Sequence, residues 1–238
     1  MKIEILYPAL ASLYGDAVGL RYLKQCLPDA EWIETQLYEQ PAFTKEKVDL
    51  VYMGPMTESA QELVINELRP YTDKINAYIE SGALFITTGN AMEVFGKYIE
   101  NEDGTKIEAL GIFDTYAKRR MMDRYNSLYF GTLENMKIVG FKAQFTHTYP
   151  LSEVQTLFTD VRGDGLNPGY KGEGLRRNNF MGTYLLGPIF VLDPDFTKYV
   201  MRLLGVENPT LPYEKDVYAA YKKRLKEFEA PDTKYMYV

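Results

Sequence analysis

The chain has 238 residues, 46% of them hydrophobic, enough to fill the core of one large α/β domain or two small ones; disordered, collagenous and disulfide-stapled classes are excluded. Asp and Glu (33) outnumber Lys and Arg (27), giving a net charge of -6, so no broad basic surface can neutralise phosphates and nucleic acid is not an expected partner. One cysteine, Cys26, leaves no internal disulfide, which fits a reducing compartment, and one histidine, His147, excludes a His-rich metal cage. No apolar run approaches the ~20 residues that span a bilayer. The opening Met1-Lys2-Ile3-Glu4-Ile5 carries an acid where a signal peptide is apolar. The expectation is a soluble cytoplasmic chain with no membrane partner.

Ile3 to Tyr7 reads as a short strand stopped at Pro8, and apolar residues at helical spacing follow through Val18, Tyr22 and Leu23 to Cys26 and Leu27. Glu31 to Leu37 and Val48 to Met53 read as the next two strands, the latter stopped by Gly54-Pro55. A helix runs from about Thr57 towards Ile79 with an interruption at Pro70, and Ser81-Gly82 closes it. Ala83 to Thr87 is a further strand, and Asn90 to Phe95 opens a helix ending near Gly96. Strands alternating with helices predict an α/β fold with a doubly wound, mostly parallel sheet and helices on both faces.

After Gly104 the pattern becomes strand-rich: Leu128 to Thr132, Met136 to Phe141, Thr156 to Val161 and Met181 to Leu186. Asp193-Pro194-Asp195 is a helix-opening signal, and Gly205 closes that helix. Residues 206–213, with Pro209 and Pro212, read as a linker, and a final amphipathic helix spans about Glu214 to Phe228. The simplest partition is a domain over 1–205 with a helical extension over 206–238.

The segment Leu84-Phe85-Ile86-Thr87-Thr88-Gly89-Asn90-Ala91-Met92-Glu93-Val94-Phe95-Gly96 carries a strand through a small-residue turn straight into a helix. That is the shape of a nucleophile elbow, which exposes one side chain at the carboxyl end of a sheet. An ordinary β-turn-α crossover fits the same pattern and is commoner. Two more segments complete a resemblance: Ile5-Leu6-Tyr7-Pro8 with Leu13-Tyr14-Gly15-Asp16, and Gly182-Thr183-Tyr184-Leu185-Leu186-Gly187-Pro188 with Asp193-Pro194. In this order they resemble the class I glutamine amidotransferases of the cobyric acid synthase type, among them the glutaminase subunit of lipid II isoglutaminyl synthase. Gly111 to Asp114, Lys118-Arg119-Arg120 and Gly140-Phe141 also sit where that family has short motifs.

The resemblance implies a flavodoxin-like fold and a Mur-ligase-like synthetase partner. It also implies a catalytic pair that this chain lacks. The family reads C-G-G-Y-Q-x-x-G at the elbow, and counting back from Gly96 places Gly89 at the cysteine, Asn90 and Ala91 at the two glycines and Glu93 at the glutamine. It reads G-T-Y-L-H-G-P late in the chain, where Leu186 holds the histidine position beside Tyr184. Hydrolysis of a glutamine amide needs a thiolate to attack the carboxamide carbon and an imidazole to activate it and protonate departing ammonia. Glycine and leucine do neither, so the expectation is a degenerate site with no glutaminase activity, no cofactor and no metal.

Substitutes for the missing pair are few. Cys26 falls on an apolar helix face, where a packed core thiol is expected. His147, Thr87 and Thr88 flank the region without a visible partner, and strand-end hydrogen bonding is the plainer role for the threonines. Glu93 puts a carboxylate where the family has an amide. Gly54 fits one position of the family's oxyanion loop, or a helix-entry turn. Asn178 and Asn179 resemble the family's Asn-rich loop before its late strand, or any hairpin, and Arg119 and Arg120 could hold an anion but read more simply as solvated. Gly163 to Gly174 is no phosphate fingerprint, and Lys222-Lys223-Arg224 reads as a solvated helix face. The leading expectation is a non-hydrolysing binding or regulatory subunit; the alternatives are altered chemistry in the same cleft, or a sensor of a glutamine-like small-molecule ligand.

Overall fold

The computed structural model describes residues 1–186 and 188–237. In chain order β1 (Lys2–Leu6) is followed by α1 (Asp16–Cys26), β2 (Glu31–Thr35), β3 (Leu50–Met53), α2 (Glu58–Leu68), α3 (Thr72–Glu80) and β4 (Leu84–Thr88). A 3-10 turn over Gly89–Phe95 leads into β5 (Tyr98–Glu100), β6 (Lys106–Glu108), β7 (Thr115–Arg119), β8 (Tyr125–Leu133), β9 (Met136–Gln144) and β10 (Thr146–Pro150). Then come β11 (Thr159–Arg162), β12 (Leu175–Arg177), β13 (Phe180–Thr183), α4 (Ile189–Leu192), α5 (Pro194–Leu203), α6 (Glu214–Glu229) and β14 (Met236–Tyr237).

The main sheet has the order β12-β13-β4-β3-β1-β2, all parallel except the β12 edge. Its parallel part, β2-β1-β3-β4-β13, is the flavodoxin-like doubly wound order. Strand alternation sends successive side chains to opposite faces. Val51, Met53 and Phe85 join Val64, Ile65, Ile75 and Ile79 of α2 and α3 in one apolar layer. Leu50, Tyr52, Leu84 and Ile86 join Leu20, Leu23, Phe190, Phe196 and Val200 of α1, α4 and α5 in the other, which also buries Cys26. Each fully buried side chain of this size contributes roughly 1.5–3 kcal/mol of transfer free energy. The helix break expected at Pro70 is a 3-10 turn, Arg69–Tyr71, between α2 and α3.

Four short strands absent from the periodicity reading, β5, β6, β7 and β10, form a second sheet in the order β10-β7-β5-β6. At three to five residues each they carry too few alternations to register as a pattern. A third sheet pairs β8 with β9, β11 and β14. The strand expected at Thr156 to Val161 starts later, at Thr159. The one expected at Met181 to Leu186 ends at Thr183, because the buried Glu173 carboxylate accepts from the Thr183 hydroxyl at 2.6 Å and the Tyr184 N–H at 2.7 Å. Those bonds turn the backbone out of the ladder. Residues 206–213 lead into α6, which lies on β8 and β9 with Tyr221 and Phe228 buried against Phe130 and Val139.

Candidate functional site

Parallel strands bring their carboxyl ends to one edge of the sheet, and there the loops after β3, β4 and β13 converge. After β3, Gly54 packs so tightly that a Cβ would collide with the Ala11 carbonyl and the Asp16 carboxylate. After β4, Gly89 turns the chain at φ +58, a left-handed conformation that favours glycine. A Cβ built on Gly89 would lie 2.6 Å from Pro55 Cβ and 3.2 Å from Leu186 Cδ2, so Gly89, Pro55 and Leu186 meet at one point although they lie far apart in sequence.

A cavity of about 220 Å3 opens at that point. Its floor and walls include Pro55, Gly89, Asn90, Tyr184 and Leu186, together with Gln144, Phe145 and Thr146 from the β9–β10 turn. Asn90 acts as a clamp: its Oδ1 accepts from the Met56 N–H at 3.0 Å and its Nδ2 donates to the Met56 carbonyl at 2.8 Å. Pro55 has no N–H, and that of Met56 is taken by Asn90, so neither residue presents a free backbone donor to the cavity.

Behind the cavity lies a buried polar chain. Tyr184 donates its hydroxyl proton to Glu93 Oε1 at 2.7 Å and meets Thr148 Oγ1 at 2.6 Å, while Gln61 Nε2 donates to Glu93 Oε2 at 2.9 Å. Arg119 completes it, donating to Gln61 Oε1 at 3.0 Å, Glu62 at 3.0 Å and Asn101 at 3.1 Å. Burial pushes the Glu93 carboxyl up to about 7, against the pull of the Gln61 and Tyr184 hydrogen bonds and the Arg119 charge. A second buried group lies below Gly54: Thr88 donates to Asp16 Oδ1 at 2.9 Å and Tyr52 donates to the same oxygen at 2.6 Å. Burial lifts Asp16 to about 6, and its Oδ2 has no hydrogen-bond partner.

The expected site residues therefore separate. Gly54, Gly89, Asn90, Tyr184 and Leu186 gather at or beside the cavity, while Thr88 and Glu93 lie behind it without lining it. Arg119 is not a solvated anion hook. At the inward register of β7 it is only 5% exposed, and its guanidinium is committed to protein partners. Arg120, one residue on, is exposed beside Asp123 at 3.8 Å. Asn178 and Asn179 form the β12–β13 turn at the opposite end of the sheet, where they donate to the Ile79 and Gly82 carbonyls at 3.1 and 2.7 Å. They brace α3 and lie away from the cavity.

His147 alternates away from Thr146 on β10, edge-on to Tyr125, and does not line the cavity. Burial, reinforced by the charges of Lys142 and Arg120, pushes its imidazole down to about 4. Gln144, Phe145 and Thr146 were not legible as site residues, since a turn over 50 residues beyond the elbow carries no local signal. Among the described residues no group of three or more His, Cys, Asp or Glu side chains is placed to hold a metal ion. Nor is any helix long and apolar enough to cross a membrane.

The profile of the CobB/CobQ-like glutamine amidotransferase domain matches residues 2–191, a span from β1 into α4 that takes in every strand end around this cavity. The chain belongs to that family. Among curated relatives of this amidotransferase-like chain, subunit GatD of lipid II isoglutaminyl synthase (glutamine-hydrolyzing) from Staphylococcus aureus (strain N315) is 28% identical over 179 residues, covering 75% of this chain and 72% of the relative. The subunit of the same name from Streptococcus pneumoniae (strain ATCC BAA-255 / R6) is 23% identical over 199 residues, covering 79% and 74%. A crystal structure described as a glutamine amidotransferase superposes with a TM-score of 0.57 at 16% identity, over 86% of this chain and 99% of that one, a likeness of fold.

Proposed function

We propose that this chain is a non-hydrolysing member of the glutamine amidotransferase family, a cytoplasmic binding or regulatory subunit whose cleft no longer cleaves glutamine. The observation that carries the reading is the contact between Gly89 and Leu186, 3.2 Å from a Cβ at position 89 to Leu186 Cδ2. These are the two positions at which the family resemblance puts cysteine and histidine, and they face each other as a nucleophile and its base must. The elbow keeps its left-handed turn, but it presents a hydrogen to an isobutyl group. No thiolate forms and no imidazole is present to take its proton or to protonate ammonia.

A third loss supports the same reading. A tetrahedral intermediate needs N–H donors aimed at its oxyanion. In the loop after β3, beyond Gly54, Pro55 has no N–H and Asn90 holds the Met56 N–H at 3.0 Å. Altered chemistry through Glu93, Thr88 or His147 has no such support, because none of the three lines the cavity.

Both curated relatives are subunits of a lipid II isoglutaminyl synthase (glutamine-hydrolyzing), which supports a synthetase partner of Mur-ligase type and a place in cell-wall assembly. Residues 206–238 lie beyond the matched span of 2–191 and act as an extension of the amidotransferase-like domain. The test is ammonia release from glutamine by the purified full chain, alone and with whatever synthetase co-purifies from the native cell. No release in either case is the expected result. Release that disappears on substitution of residues at the Gly89 turn overturns the reading.

A further inference from the structure

The loop from β1 into α1 supplies two walls of the cavity, Leu13 and Tyr14, and it turns on consecutive left-handed residues, Tyr14 at φ +57 and Gly15 at φ +78. For a tyrosine that backbone is uncommon and strained. Two contacts hold the loop in place. The Leu13 N–H donates to the Pro55 carbonyl at 3.1 Å, and Arg124 donates to the Tyr14 hydroxyl at 2.9 Å while its guanidinium lies 5.2 Å from the ring of Phe145, another cavity wall. Directly after the turn comes Asp16, 1% exposed at the first position of α1. Tyr52 of β3 and Thr88 of β4 donate to its Oδ1 at 2.6 and 2.9 Å, but its Oδ2 has no partner. Oδ2 and the Ala11 carbonyl oxygen each lie 2.4 Å from the point a Gly54 Cβ would occupy, so two acceptors crowd one glycine at no more than twice that distance from each other.

An ionised carboxylate in that place is buried, bonded on one oxygen only and faced by a carbonyl; a carboxylic acid there is neutral and carries a donor. Among the described residues no Lys, Arg or His is hydrogen-bonded or ion-paired to Asp16. The basic residues of α1, Arg21 and Lys24, follow by more than a turn, Lys24 paired with Glu34 at 3.2 Å. The one titratable group bonded to Asp16, the Tyr52 phenol, is pushed well above its ordinary value by burial and by Asp16 itself, and keeps its proton. We propose that a proton on Asp16 latches this loop: neutral Asp16 keeps Leu13 and Tyr14 in place as cavity walls, and its ionisation favours an open loop in which the carboxylate meets water and Tyr14 and Arg124 leave the cavity mouth. Burial, which lifts the Asp16 carboxyl to about 6 against the pull of Tyr52 and Thr88, brings the change within ordinary pH. In the open loop the group returns towards its ordinary value of 3.8, so the latch is complete below that pH and is lost as pH rises through about 6. The inference concerns the loop and holds whether or not the cleft cleaves glutamine.

The test is amide hydrogen exchange of the full chain, read residue by residue from about pH 4.5 to about pH 8 and corrected for intrinsic exchange. Protection of the Leu13 amide is expected to fall about tenfold between pH 5 and pH 7 and then to level off, with the centre of β4 exchanging far more slowly throughout. In Asp16→Asn, which keeps a neutral donor at the site, that fall is expected to vanish. Thr88→Val removes a bond that favours the charged carboxylate, so there the fall should run on to higher pH. Glu93 titrates in the same range but is present in all three proteins, so the differences between them report Asp16. Leu13 protection that does not change with pH in the native chain overturns the proposal, and so does the same fall in Asp16→Asn. Leu13 exchange at the rate of the β4 centre also overturns it, because the opening would then be global. Should Asp16→Asn fail to fold, Thr88→Val decides: an unmoved profile in that variant overturns the latch.

Discussion

At residue scale, Gly89 is held both by its backbone and by its neighbours. Its φ of +58 disfavours any side chain, and Pro55 stands 2.6 Å from where a Cβ would be. Gly89→Ala is expected to destabilise the fold by about 1–3 kcal/mol, read as a lower urea midpoint with an unchanged slope. Gly89→Cys combined with Leu186→His is expected to release no ammonia from glutamine, because Pro55 still crowds the sulfur and supplies no N–H to an oxyanion. Glu93 sets a different measurement. Its carboxyl moves from the model-compound value of 4.5 to about 7 on burial, so between those pH values the native state keeps a proton that the unfolded chain has lost. Its contribution is therefore complete below about pH 4.5 and is lost as pH rises through about 7. In Glu93→Gln the fall in stability from pH 5 to pH 7 should shrink by on the order of 1–2 kcal/mol in denaturant titrations. Asp16, raised to about 6, and Asp193, raised to about 8, have the same sign and leave a residual slope.

At the scale of elements, the site depends on what happens where strands stop. The turn after β4 is one short 3-10 helix, Gly89–Phe95, tied to the loop after β3 through the two Asn90 bonds to Met56. Asn90→Ala should cost about 1–2 kcal/mol and raise amide exchange at Met56, with little change at the centre of β4. Placement on a strand face also decides between Arg119 and Arg120, adjacent in sequence and opposite in role. Thr115, Ala117 and Arg119 point inward from β7, while Tyr116 and Lys118 point outward. Their outward row continues across the sheet as stacked tyrosines, Tyr98 to Tyr116 at 5.1 Å and Tyr116 to Tyr149 at 5.3 Å.

At the scale of the whole molecule, α6 packs on the third sheet and β14 adds an edge strand to it. Arg162 donates to the carbonyls of Phe228, Ala230 and Thr233 at 3.1, 2.7 and 2.9 Å, and Tyr221 donates to the Lys137 carbonyl at 2.8 Å. Truncation after Gly205 would expose Phe130 and Val139 and leave Arg162 without these acceptors. We expect it to lower the thermal midpoint by several degrees and increase binding of a hydrophobic dye. A truncated chain that melts with the full-length one would show that α6 adds nothing to the fold.

The alternation of strand and helix from Ile3 to Phe95, the helix break at Pro70 and the small-residue turn at Gly89 could be read from residues alone, because each is a local property of spacing or of backbone freedom. That Gly89 carries no thiol and Leu186 no imidazole is plain from residue identity; that these are the family's catalytic positions is what the resemblance implies. Tertiary structure alone decided that Gly89, Pro55 and Leu186 touch, and that Gln144 joins them with an unpaired oxygen. It alone turned Arg119 inward and sent Asn178 and Asn179 to the far end of the sheet. The physical reason is that a parallel sheet brings together strand ends separated by dozens of residues, whereas sequence spacing reports only neighbours within a few turns.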